Sequence, residues 1–291
     1  MEPLYLREHG RGIAAVVIAS VVWSTGGLFV KLLPFNAMTI LFYRSLFAGI
    51  LFAAVYRREV LLVNKTAFIA SGFYALLLIC FVSATKLTTA ANAIFLQYTA
   101  PVYVLLLEPR LFGLKLQKIN VITIIACVAG MGLFFSDNLE GGGGWGNLIA
   151  LLSGVFLAGL LLSQRMNDHR YYISAVFWGN VWIVLICFPF FAMSATPSTE
   201  QFGMLMFLGF VQIGVGYLLF TYGLKRTLAI ESALLAMIEP VLNPVWVWIG
   251  HGEKPSLQAL LGGAIIIIAL SVRILVLELA KNSKKEIKSI N

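Results

Sequence analysis

Ten stretches of apolar residues, each about as long as a bilayer core is thick, alternate with short polar segments along the chain. They fall at about 12–32, 36–56, 67–85, 88–107, 119–136, 147–164, 172–192, 202–223, 229–250 and 256–278. A helix needs about 20 apolar residues to cross the hydrocarbon core. None of the segments shows the ten-residue alternation of a membrane barrel strand, so the pattern predicts helices. The expected fold is all-α and integral to a membrane, with ten transmembrane helices.

Composition agrees with lipid as the solvent. Of 291 residues, 60% are hydrophobic and 12% charged, against about 25% charged in an average soluble domain; mean hydropathy is +0.90. The net charge of +8 does not point to nucleic acid, because Lys and Arg lie between apolar segments rather than along a basic stripe with aromatics. Cys80, Cys127 and Cys187 sit in three different apolar segments with no paired spacing and read as small buried hydrophobes. The first apolar stretch is too long for a signal-peptide core, so it is expected to be retained.

The placement of basic residues predicts orientation. With ten spans, the N-terminal segment, the even-numbered loops and the C-terminal tail hold sixteen Lys and Arg; the odd-numbered loops hold three, Lys31, Lys86 and Lys254. Both termini are therefore expected in the cytoplasm. Only Arg44 and Arg273 remain, inside spans.

The two halves of the chain resemble each other. At an offset of 139, Lys86, Thr88, Ala90, Leu96, Pro101, Val102, Gly113 and Lys115 coincide with Lys225, Thr227, Ala229, Leu235, Pro240, Val241, Gly252 and Lys254. Five helices per half make the halves cross in opposite senses, a plan that recurs in secondary transporters with the site between them. The expected organisation is a first five-helix repeat (1–137), a Gly-rich linker (138–146), a second repeat (147–280) and a basic cytoplasmic tail (281–291). The GGGG at 141–144 lacks the Lys-Ser/Thr of a phosphate loop and reads as a flexible connection.

A charge at mid-membrane costs about 2.5–3.5 kcal/mol on insertion scales, which singles out Arg44 in span two and Glu239 in span nine. Glu239 is a candidate for binding a cation or carrying a proton, and Arg44 for holding a carboxylate. The plain alternative is that each ties helices together through backbone carbonyls. Pro101 and Pro240, at matching positions, are expected to free the carbonyls of Gln97 and Ala236 within broken helices. Trp23, Gln97, Tyr98, Gln212 and Tyr217 lie at similar depth and are candidate substrate-binding groups; Trp178 and Asn180 belong to the same polar and aromatic set. The aromatics would also suit a quaternary ammonium group. Ala126 and Gly130 in span five, with Ala259 and Gly263 in span ten, have small-residue spacing for close packing inside the molecule or in a homodimer. No protease, hydrolase-elbow or metal-ligand motif occurs, so no enzyme activity, metal or cofactor is expected; an intramembrane enzyme or sensor is the alternative class.

Several motifs together resemble the EamA-type branch of the drug/metabolite transporter superfamily, over nearly the whole chain. They are WSTGG at 23–27, Arg44, TAANAIFLQYTAPVYVLLLEP at 89–109, ESALLAMIEPVLNP at 231–244 and GEKPSLQALLGG at 252–263. The resemblance implies a carrier without ATP hydrolysis in a bacterial inner or plasma membrane. It would act by alternating access, as such carriers often do in exporting amino acids, metabolites or toxic compounds; the expected substrate is an amino acid or related amphipathic metabolite, with protons as a possible coupling ion. Some relatives take up choline or sugars, and distant ones exchange nucleotide-sugars. The family pattern also puts Trp23, Tyr98, Gln212, Tyr217 and Glu239 on cavity-lining helices. Glu253 departs from its repeat mate Leu114, and is expected to be structural.

Overall fold

The computed structural model describes residues 4–113, 117–136, 143–227 and 229–290, and all regular structure among them is helical. The first predicted span is α1 (Leu4–Ser24) followed by α2 (Gly26–Leu32), the second is α3 (Ala37–Tyr56) and the third α4 (Lys65–Leu87). The fourth consists of α5 (Ala90–Gln97) and α6 (Ala100–Phe112), and the fifth is α7 (Lys118–Ser136). In the second half α8 (Gly144–Arg165) and α9 (Tyr172–Ala192) are the sixth and seventh. The eighth combines α10 (Thr199–Met206), a π-helical stretch (Phe207–Val215) and α11 (Gly216–Leu224). The ninth joins α12 (Ala229–Ala236) to α13 (Ile238–His251), and α14 (Leu257–Ile290) closes the chain.

Nine of these described passes are long and apolar enough to cross a membrane; the apolar part of α7, Lys118–Leu133, is shorter. Helix α1 begins eight residues ahead of the predicted boundary, and α14 continues through most of the predicted tail. Lys115, residue 137, residues 138–142 of the predicted linker and the side chains of the tail lie outside the described residues. The outward faces fit lipid: Ile122, Ile125 and Ile268 are each more than 60% exposed, a state that water would penalise and hydrocarbon does not.

Polar residues set the helix starts. The side chains of Asn36, Asn64 and Thr89 accept from the N–H groups of Thr39, Ala67 and Asn92, and Ser198 forms a capping box with Gln201. Such caps satisfy N–H groups that a helix cannot. Helices α6 and α13 both stop at a left-handed glycine, Gly113 at φ 65° and Gly252 at φ 76°, where a side chain would be strained. These two glycines are 139 residues apart.

The packing follows the same offset. Helix α1 packs on α11 and α4 on α8, while α3 pairs with α9 and α7 with α14; exchanging the halves leaves this set of pairs unchanged. Gly130 allows α7 close to α14: a Cβ there would lie 2.9 Å from the Gly262 carbonyl. Gly263 turns instead towards the Phe95 ring of α5.

Ion pairs close the two ends of the bundle. At one end Glu253 Oε2 lies 2.6 Å from Lys31 Nζ, and its Oε1 accepts from the Ala90 N–H at 2.7 Å. Lys31 also donates to the Thr88 carbonyl at 2.8 Å, and Lys86 to that of Leu33 at 2.6 Å. At the other end Glu8 bridges Arg11 and Arg226, and His9 meets the Arg226 carbonyl. The side chains of Lys31 and Glu253 are 13% and 19% exposed, so screening is only partial. Glu253→Gln keeps an acceptor for Ala90 but strands the Lys31 charge. It is expected to destabilise the fold by about 1–3 kcal/mol, seen as a lower melting temperature in detergent that Lys31→Met in the same chain partly restores.

Candidate functional site

Spans four and nine are broken at the same register. Helix α5 ends at Gln97 and α6 starts at Ala100; α12 ends at Ala236 and α13 starts at Ile238. Each break precedes its proline and falls at the carbonyls of Gln97 and Ala236. Both prolines lie in the first turn of the following helix, where the missing N–H has no partner to lose. The Ala236 carbonyl is met by the Tyr98 hydroxyl at 3.3 Å, and the same hydroxyl lies 2.8 Å from Glu239 Oε2. The Gln97 carbonyl faces Gly154 of α8, and the Gln97 side-chain oxygen is buried without a partner. Gln97 thus stands on the break but joins none of the contacts at Glu239.

Arg44 lies on α3 at 3% exposure, and its Nε has no hydrogen-bond partner. Among the described residues it makes no ion pair; Tyr74, Glu239 and Tyr217 surround it within electrostatic range. Tyr74 accepts from Asn180 Nδ2 at 3.3 Å. Its ring is 6.4 Å from that of Tyr217, which in turn stands edge-on to Trp23 at 5.4 Å. Trp23, Tyr98, Tyr217 and Glu239 are deeply enclosed, yet each keeps part of its surface accessible.

The third break falls at Thr25, inside the WSTGG motif. The hydroxyls of Ser24 and Thr25 turn back onto the carbonyls of Val21 and Val22, both at 2.7 Å. Gln212 Nε2 donates to the Trp23 carbonyl at 3.1 Å and Trp246 Nε1 to Ser24 Oγ at 2.9 Å. Gln212 sits within the π-helical stretch, a form that recurs at functional sites. The two glycines after Thr25 make room for amides from two other spans. A Cβ on Gly26 would lie 2.7 Å from Gln212 Nε2, and one on Gly27 2.5 Å from Asn243 Oδ1.

Of the residues singled out from sequence, Trp23, Arg44, Tyr98, Gln212, Tyr217 and Glu239 therefore gather where spans one, two, four, eight and nine meet. Trp178 does not; it lines an apolar groove of about 280 Å³ with Phe68 and Trp182. Sequence reasoning passed over Tyr74, Asn243 and Trp246. Asn243 carried a signal, since it follows Glu239 by one turn and so shares its face of α13. Tyr74 carried none beyond being a tyrosine in mid-span.

The comparisons with known proteins agree with this architecture. The EamA-like transporter family matches twice, over residues 10–136 and 144–275. An uncharacterized transporter of Archaeoglobus fulgidus is 25% identical over 263 residues, covering 90% of this chain and 95% of that one. The uncharacterized transporter YxxF of Bacillus subtilis is 25% identical over 280 residues, covering 91% and 90%. A solved crystal structure superposes with a TM-score of 0.66 at 18% identity, covering 92% of this chain and 98% of the other, which is a likeness of fold. With both copies of the family pattern spanning the helices that carry Trp23, Arg44, Tyr98 and Glu239, this chain belongs to the EamA-like transporter family of multi-pass membrane proteins.

Proposed function

We propose that the protein is a secondary transporter that moves a small zwitterionic metabolite, an amino acid or a close relative, by alternating access. The observation that carries this reading is the pair Arg44 and Glu239. They share one cluster deep in the bundle, opposite in charge, without forming an ion pair. A buried cation without a counter-ion is costly, and so is a carboxylate at this depth. An amino acid would meet both, its carboxylate at Arg44 and its ammonium at Glu239, while Trp23 and Tyr217 cover its apolar part. Between substrates, a proton on Glu239 would serve in place of the ammonium, which makes protons the natural coupling ion.

The two halves, 1–137 and 147–280, act in this reading as inverted repeats that rock about the cluster. The matched breaks, the matched left-handed glycines and the exchange-invariant packing support it. The excess of Lys and Arg in the even loops supports cytoplasmic termini, and export is the expected direction in the cell.

A choline-like amine is the second reading. It is favoured by the aromatic group of Trp23, Tyr217 and Phe220, of which Tyr217 lies near Glu239, but it gives Arg44 nothing to bind. Reconstituted vesicles separate the two. Radiolabelled amino acids are expected to cross and to accumulate with a pH gradient, whereas choline, polyamines and nucleotide-sugars are not. Flux of choline alone would install the second reading, and no flux of any solute would favour an intramembrane enzyme or sensor.

A further inference from the structure

Beside the charged pair lies a second group of polar atoms that its chemistry does not use. Gln212 and Asn243 are 4% and 1% exposed, and Gln212 Oε1 and Asn243 Oδ1 have no hydrogen-bond partner. The indole Nε1 of Trp23 is likewise buried and unpartnered. These groups come from spans eight, nine and one, and the indole Nε1 lies against Gly216, four residues after Gln212 in the eighth span. The two amides pack against consecutive residues, Gly26 and Gly27, whose Cα atoms are about 3.8 Å apart. Trp23 lies just before them, with its carbonyl held by Gln212. Asn243 stands one helical turn, about 6 Å, from Glu239 on the same face of α13.

Buried polar atoms are almost always hydrogen-bonded. In a membrane interior an orphan has no bulk water to turn to. Three orphans around one helix break therefore call for a ligand group. Its chemistry is legible from theirs. The Gln212 amide is already oriented, because its N–H₂ donates to the Trp23 carbonyl, so its oxygen can only accept. The Trp23 indole can only donate. The Asn243 amide carries both functions. A cluster with neutral donors and acceptors together suits a neutral group that also has both, a carboxamide or a hydroxyl, and offers no counter-charge for an ion.

Building on the reading of Arg44 and Glu239 as holders of the amino-acid head group, we propose that Gln212, Asn243 and the Trp23 indole form the side-chain pocket, and that they select amino acids with a polar uncharged side chain. Without Cβ atoms at 26 and 27 the two amides can lie against the break, which ties the WSTGG motif to selectivity.

The test is counterflow of radiolabelled glutamine, serine, leucine and lysine in proteoliposomes, for the unsubstituted protein and for Asn243→Leu and Gln212→Leu. Glutamine and serine are expected to exchange at least tenfold faster than leucine in the unsubstituted protein, since a site built to hydrogen-bond rejects a group that cannot. Each variant is expected to reduce that ratio about tenfold. A second measurement needs no variant: millimolar glutamine is expected to raise the melting temperature of the purified protein, and leucine to leave it unchanged. Equal loss for all four substrates in both variants, or stabilisation by leucine as strong as by glutamine, would overturn the pocket while leaving the head-group reading intact. Absence of flux for every amino acid would overturn both.

Discussion

Replacing Arg44 by methionine is expected to give a protein that melts at a higher temperature than the unsubstituted one and no longer carries amino acids. Both halves of that outcome come from the same fact. Arg44 is 3% exposed, its Nε has no hydrogen-bond partner and it makes no ion pair among the described residues, so its charge is held at a cost of about 2.5–3.5 kcal/mol on insertion scales. Glu239 would not be abandoned by the change, because its close partner is the Tyr98 hydroxyl. Replacing buried charge by apolar volume is often neutral or stabilising by about 1–4 kcal/mol, which corresponds to a rise of several degrees. Loss of a buried charge-assisted bond to a carboxylate costs about 2–5 kcal/mol, so flux should fall by at least about thirtyfold. A melting curve in detergent and a vesicle assay read the two effects separately. Should Arg44→Met melt lower, Arg44 would be a structural tie and the head-group reading would lose one of its two poles.

Glu239→Gln probes the other pole. Glutamine keeps the shape of the side chain and an oxygen for the Tyr98 hydroxyl, but it cannot take up or release a proton. Accumulation driven by a pH gradient is expected to fall at least tenfold, and the pH dependence of flux to vanish, while the melting temperature stays close to that of the unsubstituted protein. Vesicles loaded with a pH-sensitive dye and labelled substrate measure proton and solute movement together. Proton-coupled accumulation that survives the substitution would rule out Glu239 as the coupling group.

The spans were legible because hydrocarbon enforces them: no other pattern gives ten apolar runs of about 20 residues with the charges swept between. Arg44 and Glu239 were legible for the same reason, as exceptions. What the sequence did not carry was distance. That Arg44 and Glu239 share a cluster without pairing depends on how α3, α6 and α13 cross, and the approach of Asn243 to Gly27 spans 216 positions of chain. Prolines marked the breaks in spans four and nine, and each stands in the first turn of the new helix rather than in the interior of an old one. The π-helical stretch left no trace at all. Its residues, FLGFVQIGV, contain no proline and read as one more apolar segment. Glu253 was readable as structural from its absence in the first repeat, though not its two partners, Lys31 and the Ala90 N–H.

The Tyr98 hydroxyl owns one hydrogen and stands within reach of two oxygens, the Glu239 carboxylate at 2.8 Å and the Ala236 carbonyl at 3.3 Å. It can serve one fully at a time. An ionised Glu239 takes the hydrogen; a protonated one brings its own and leaves the hydroxyl rotor free to turn to Ala236. The occupancy of a side chain is thereby registered on the main chain, at the point where the ninth span is already interrupted and least able to ignore it.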